Sequence, residues 1–118
     1  MKILIVDDER VIRYGCRMIL EEKGHTVETS STCNEGIEAV TSSSYDLVLL
    51  DLKLPDQDGS ELLKAAHRNN GNRIIVMSGY ATVQSAVNSM KLGAIDYLPK
   101  PFTDDELLNV VKKAEGAW

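Results

Sequence analysis

Short unbroken apolar runs alternate along this chain with longer stretches in which apolar residues recur every three or four positions. The runs are Ile3-Leu4-Ile5-Val6, Leu47-Val48-Leu49-Leu50, Ile74-Ile75-Val76-Met77 and the shorter Tyr97-Leu98-Pro99. Branched aliphatics without polar alternation suit strands of a parallel sheet covered on both faces. After the first run, Ile12, Cys16, Ile19 and Leu20 keep helical spacing until Gly24, which reads as a helix stop. Thr26–Ser30 is a more polar strand, as expected at a sheet edge, and Thr32 or Asn34 then caps a short helix carrying Ile37 and Val40. A strand over 46–50 leads into a loop over 51–59, punctuated by Pro55 and Gly59. Leu62, Leu63 and Ala66 give the third helix its apolar side, and a strand follows over 73–77. Val83, Val87 and Met90 stripe a fourth helix that ends near Gly93. A brief strand over 95–98 and a helix striped by Leu107, Val111 and Ala114 complete the order. Five β-α units predict an α/β fold, a doubly wound three-layer sandwich around a parallel five-stranded sheet, with residues 1–118 forming one domain.

The chemistry falls at the ends of the strands. Asp7, Asp8, Asp51, Ser78 and Lys100 each follow directly on an apolar run or its last residue. The carboxyl ends of parallel strands share one edge, where ligands bind. Three carboxylates, a hydroxyl and an ammonium are therefore expected in one crevice. Three ionised Asp side chains repel by ~4 kcal/mol per pair at 4 Å and an effective dielectric of 20. Lys100 cancels one charge, and a hard divalent cation with oxygen ligands, such as Mg²⁺, answers the rest. No His or Cys joins this set, which disfavours zinc. A carboxylate there can act as a nucleophile toward a phosphoryl group, with metal and lysine stabilising charge.

Composition narrows the field. At 118 residues the chain is long enough to bury about 65% of its unfolded surface. Hydrophobic residues make up 43% and charged residues 26%, which argues against disorder. A net charge of −5 argues against direct nucleic acid binding by this domain. No apolar stretch approaches a membrane span, and the N-terminus reads as a strand. Cys16 and Cys33 lack metal or redox spacing, so a reduced, cytoplasmic protein is expected. His25 and His67 read as surface residues, and Trp118 carries no signal. The acidic loop Asp7-Asp8-Glu9 repels phosphate unless a cation intervenes, unlike the Gly-rich loops of dinucleotide and P-loop folds. Glu9 suits either the metal site or the dipole of the first helix. Haloacid-dehalogenase-type phosphatases place a second acid two residues after the nucleophile, where this chain has Lys53.

Val6-Asp7-Asp8-Glu9, Leu50-Asp51-Leu52-Lys53-Leu54-Pro55 with Asp58-Gly59, Met77-Ser78-Gly79-Tyr80, Gly93-Ala94 with Asp96-Tyr97, and Lys100-Pro101-Phe102 occur in that order. With these motifs the chain resembles the receiver domains of bacterial two-component response regulators over essentially its full length. The segment 78–102 is similar to receivers of the nitrogen-regulation type. The resemblance implies a flavodoxin-like sheet of order 2-1-3-4-5 and a signalling domain whose only chemistry is its own phosphorylation and dephosphorylation. It implies that Asp51 accepts a phosphoryl group from a sensor histidine kinase or phosphotransfer protein. Asp8 and Asp51 would bind Mg²⁺ through side chains, Lys53 through its backbone carbonyl and Asp7 through water. Lys100 and Ser78 would contact the phosphoryl oxygens, with Ser78 standing where Thr is commoner, and Tyr97 would be the aromatic switch. The face made by the fourth helix, fifth strand and fifth helix would change on phosphorylation, offer a homodimer surface, and control an output such as transcription through an effector domain. Lys53 and Tyr80 would border the path of a hydrolytic water. Lys100-Pro101 is expected to be cis, since X-Pro lowers the trans preference and the turn must aim Lys100 back into the crevice. The competing reading is a constitutive docking or dimerisation domain that keeps the fold without the chemistry; the intact set of acids, hydroxyl and lysine speaks against it.

Overall fold

In the computed structural model, which describes residues 1–68 and 72–116, the sheet owes its burial to period-two alternation inside the apolar runs. Strands β1 (Lys2–Val6), β2 (Thr26–Ser30), β3 (Leu47–Asp51), β4 (Arg73–Ser78) and β5 (Asp96–Pro99) are all parallel, in the order β2-β1-β3-β4-β5. Ile3, Ile5, Leu47, Leu49, Ile75 and Met77 point to one side, where they meet Cys16 and Leu20 of α1 (Arg10–Glu22) and Leu107, Val111 and Ala114 of α5 (Asp104–Glu115). Leu4, Val6, Val48, Leu50, Ile74 and Val76 point to the other, against Cys33 and Val40 of α2 (Cys33–Ser42) and Leu62, Leu63 and Ala66 of α3 (Ser60–Arg68). Each large aliphatic sealed in this way contributes about 1.5–3 kcal/mol. The edge strand β2 buries only Val27 and Ser30, as its polar sequence requires. Trp118 lies outside the described residues.

The helix ends follow local chemistry. The Thr32 hydroxyl accepts from the Glu35 N–H at 3.1 Å, which settles the α2 cap in favour of Thr32. Thr103 and Glu106 form a reciprocal capping box on α5, whose last turn carries Lys112 and Lys113. Strand ends differ slightly from the pattern reading, because Asp51 still pairs with Met77 and so belongs to β3. Gly59 lies against the chain that follows β3. A Cβ there would stand 2.7 Å from the Asp51 carbonyl and 2.8 Å from the Leu52 Cα. Any larger residue would overpack this contact, at a cost of about 1–3 kcal/mol.

Two expectations need correction. The stripe Val83, Val87 and Met90 on α4 (Val83–Lys91) faces solvent rather than the core, with Val83 83% exposed. The inward positions are the small residues Ser85, Ala86 and the buried Ser89. The second correction is His25, whose side chain is only 9% exposed. His25 leads into β2, and the β1–β2 pairing carries the N-terminus alongside it, so Nδ1 lies 3.0 Å from the Met1 amino group. Nε2 lies 3.3 Å from Glu115. Burial and the neighbouring positive terminus push the imidazole pKa down, with Glu115 partly opposing. The stabilising contribution of neutral His25 is thus present above the ordinary histidine pKa and is lost as pH falls through the lowered value. His67 is exposed, as expected, with its ring over Gly93, where φ is 115°.

Candidate functional site

The carboxyl ends of β1, β3, β4 and β5 deliver their next residues to one edge of the sheet. Asp7 follows β1 and is fully buried, Asp51 ends β3, Ser78 ends β4, and Lys100 follows β5. Asp8 lies beside them and is exposed. Oxygens of Asp7, Asp8 and Asp51 all lie within 4.8 Å of one another. The Lys100 Nζ sits among the acids, 2.7 Å from Asp7 Oδ2, 2.9 Å from Asp51 Oδ2 and 2.9 Å from Glu9 Oε1. Its side chain is only 9% exposed.

Backbone geometry fixes the members of this cluster. The Lys100 N–H donates to the Ser78 carbonyl at 2.7 Å, and the Lys100–Pro101 peptide is cis. The Glu9 N–H donates to Asp7 Oδ1 at 2.8 Å, and the Lys53 N–H donates to Asp51 Oδ1 at 2.9 Å. Asp51 therefore has one oxygen on a backbone amide and the other on the ammonium. Arg13 donates to the Asp7 carbonyl at 2.9 Å, joining α1 to the site.

Charge decides what this arrangement is for. Burial raises the Asp7 pKa above the ordinary carboxylate value, and the bonds from Lys100 and the Glu9 N–H offset this only in part. Burial alone would push Lys100 down, but its bonds to Asp7, Asp51 and Glu9 outweigh this and hold the ammonium well above its usual pKa. Four carboxylates around one ammonium leave three negative charges uncompensated. Glu9 belongs to the site as a partner of Lys100; it is the N-cap of α1 but makes no side-chain cap bond. Sequence alone could not choose between its two roles. Cys16, below the site, has its thiol pushed up to about 12, chiefly by burial and then by the charge of Asp7, which leaves it inert.

The remaining candidates lie around this cluster. The Ser78 hydroxyl accepts from the Tyr80 N–H at 3.0 Å. Tyr97 is half-buried, and its phenol lies 3.0 Å from the Ser85 hydroxyl, a partner that nothing in the sequence singled out. The Lys53 ammonium stands 4.3 Å over the Tyr80 ring.

Comparison with known proteins matches residues 3–112 to the model of the response regulator receiver domain. The chain belongs to this family. The receiver is similar to the transcriptional regulatory protein DltR of Streptococcus agalactiae, with 38% identity over 92% of this chain and 49% of that protein. It spans about half the length of the curated relatives it matches. Among solved structures, a CheY-like response regulator receiver domain protein from Methanospirillum hungatei superposes with a TM-score of 0.92 at 38% identity, covering 98% of this chain and 94% of that one. NtrX from Brucella abortus superposes with a TM-score of 0.91 at 31% identity, covering 98% of this chain and 27% of that chain. Receiver domains of response regulators are phosphorylation-switched signalling domains. Among the described residues, no helix of this receiver is long and apolar enough to cross a membrane.

Receivers typically use Mg²⁺, and the residues here fit it. The donors are oxygens of three clustered aspartates, the ligand type of a hard cation, with no His or Cys among them. Mg²⁺ should therefore raise the thermal unfolding midpoint of the receiver. At ten times its dissociation constant the gain is about 1.4 kcal/mol. Asp8→Asn removes an exposed carboxylate without opening the core and should abolish most of that gain; an equal rise in the variant would contradict the assignment.

Proposed function

We propose that Asp51 is the residue that accepts the phosphoryl group, and that a sensor histidine kinase or phosphotransfer protein donates it. The observation that carries this reading is the environment of Asp51. It ends the central strand, one oxygen is oriented by the Lys53 amide, and the other rests on the Lys100 ammonium. In the transfer, a carboxylate oxygen of Asp51 forms a bond to phosphorus as the phosphorus–nitrogen bond of the donor phosphohistidine breaks, and the imidazole leaves as the neutral base after taking up a proton. Asp8, Asp51 and the Lys53 carbonyl, with Asp7 through water, would hold Mg²⁺, which would supply charge neutralisation for the incoming oxygens. Lys100 moves from the carboxylates to a phosphoryl oxygen. The Ser78 hydroxyl turns from the Tyr80 amide to another, and Tyr97 fills the space it leaves. The domain turns over no separate substrate; it takes part in its own phosphorylation and dephosphorylation.

The output is the face of α4, β5 and α5. The exposed Val83, Val87, Met90 and Ile95 support its use as a surface for a second copy or an effector. The name of the relative DltR, a transcriptional regulatory protein, and the roughly double length of the relatives support transcriptional control through a further domain. Treatment with acetyl phosphate and Mg²⁺ should add the mass of one phosphoryl group to the wild-type protein and none to Asp51→Asn. The same mass gain in the variant would contradict the assignment, and no gain in the wild type would favour the constitutive docking reading.

Lys53 and Tyr80 are proposed to shield the phosphoryl group from hydrolysis. Their contact supports a joint cover rather than two separate borders, although Tyr80 itself is 67% exposed. A protonated Lys cannot serve as general base at neutral pH. The double variant Lys53→Asn with Tyr80→Glu should lose phosphate faster by about two- to fivefold, the worth of one exposed cation–π contact. An unchanged or slower rate, followed in Mg²⁺ buffer, would contradict the cover.

A further inference from the structure

We infer that Ser85 is a positioning residue for the switch: its hydroxyl holds the Tyr97 ring, and α4 with it, in the resting setting. The inference rests on the proposed role of Tyr97 as the switch aromatic. Three observations carry it.

The first is the bond itself. Ser85 Oγ and Tyr97 Oη are 3.0 Å apart and join α4 to β5. The second is the inverted character of α4. At 100° per residue, Val83 and Val87 lie ~200° around the helix from Ser85, on the opposite side. The large apolar residues of the helix thus point to solvent, and the inward side consists of Ser85, Ala86 and Ser89. Ser89 donates its hydroxyl to the Ser85 carbonyl at 2.9 Å, a side-chain bond that stays within the helix. The third is the space behind the helix. An open groove of 620 Å³ lies between α3 and α4, lined by Leu52, Leu63, Ser85, Ser89 and Leu92 among others. Apart from Leu92 at its C-terminal end, which packs against the core, α4 offers only small side chains inward beside an open groove, and packing fixes it sparsely. A specific polar tie then carries much of its orientation.

The tie exists in one state only. Moving a tyrosine ring between staggered rotamers displaces its hydroxyl by several ångström. In the proposed switch, a ring that turns to fill the space next to Ser78 takes its hydroxyl away from Ser85. In the resting setting the two switch groups are each engaged elsewhere, Ser78 with the Tyr80 amide and Tyr97 with Ser85. An interaction present in one of two states biases the equilibrium by its own free energy.

The test is a titration of the protein with beryllofluoride and Mg²⁺, read by NMR at the amides of residues 78–98 and at the Tyr97 ring. Ser85→Ala should tighten the apparent affinity by roughly fivefold, the worth of one neutral hydrogen bond. Ser85→Thr keeps the hydroxyl and should behave as wild type. In a Tyr97→Phe background, where the phenol hydroxyl is already gone, the Ser85→Ala effect should vanish, which a merely structural role would not produce. Shifted ring resonances with an unchanged or weaker affinity in Ser85→Ala would overturn the inference while leaving the switch intact. So would a Ser85→Ala effect that persists in the Tyr97→Phe background. Unchanged Tyr97 ring resonances in saturated wild type would overturn the switch reading and the inference with it.

Discussion

One ammonium among four carboxylates sets the terms for everything at the carboxyl edge of the sheet. Lys100 reaches Asp7, Asp51 and Glu9 at hydrogen-bonding distance, and Asp7 has no solvent of its own. Removing one partner from such a buried pair typically costs about 3–5 kcal/mol, because an uncompensated charge stays behind. The fold therefore anchors Lys100 firmly: its own N–H is on the Ser78 carbonyl, and β5 pairs with β4 up to the residue before it. On the function proposed, the same residues make the site reactive. The excess of negative charge, held a few ångström from a cation, is a standing demand for a metal ion, and Lys100 is already placed to follow whatever anion arrives at Asp51.

The two sides of the sheet serve this site differently. On the α1/α5 side, large aliphatics from strands and helices seal a continuous core, and Arg13 ties α1 to the acid loop. On the other side α2 and α3 pack closely, with Gly36 of α2 so near Leu62 that a Cβ would stand 2.5 Å from it. The layer loosens at α4, which offers serines inward and aliphatics outward. Close packing is thus concentrated where charges are held and is sparser at α4, on the face proposed to change. A few kcal/mol of differential interaction suffice to move such an element.

Much of this was readable from the chain. The core strands β1, β3 and β4 announced themselves as aliphatic runs, because only a sheet covered on both faces needs such continuity, and the residues after those runs were bound to share an edge. Asp7, Asp8, Asp51, Ser78 and Lys100 could therefore be grouped from the sequence. The α4 orientation was not readable. The spacing of Val83, Val87 and Met90 is that of a buried stripe, and periodicity reports which residues share a face without saying which way the face looks. The burial of His25 was hidden for a related reason, since it depends on the N-terminus arriving beside β2 through strand pairing. Ser85 carried no signal because a polar residue in a surface helix is unremarked until its partner, twelve positions away, is located in space.

The central event proposed for this receiver is the exchange by Lys100 of carboxylate partners for a phosphoryl group on Asp51. A crystal structure of the protein with Mg²⁺ and beryllofluoride tests this most directly. The expected result is beryllium bonded to an Asp51 oxygen and the Lys100 Nζ within hydrogen-bonding distance of a fluoride, with its contact to Glu9 released. Beryllofluoride bound at Asp7 or Asp8, or a Lys100 that keeps all three carboxylate contacts beside an occupied Asp51, would contradict it.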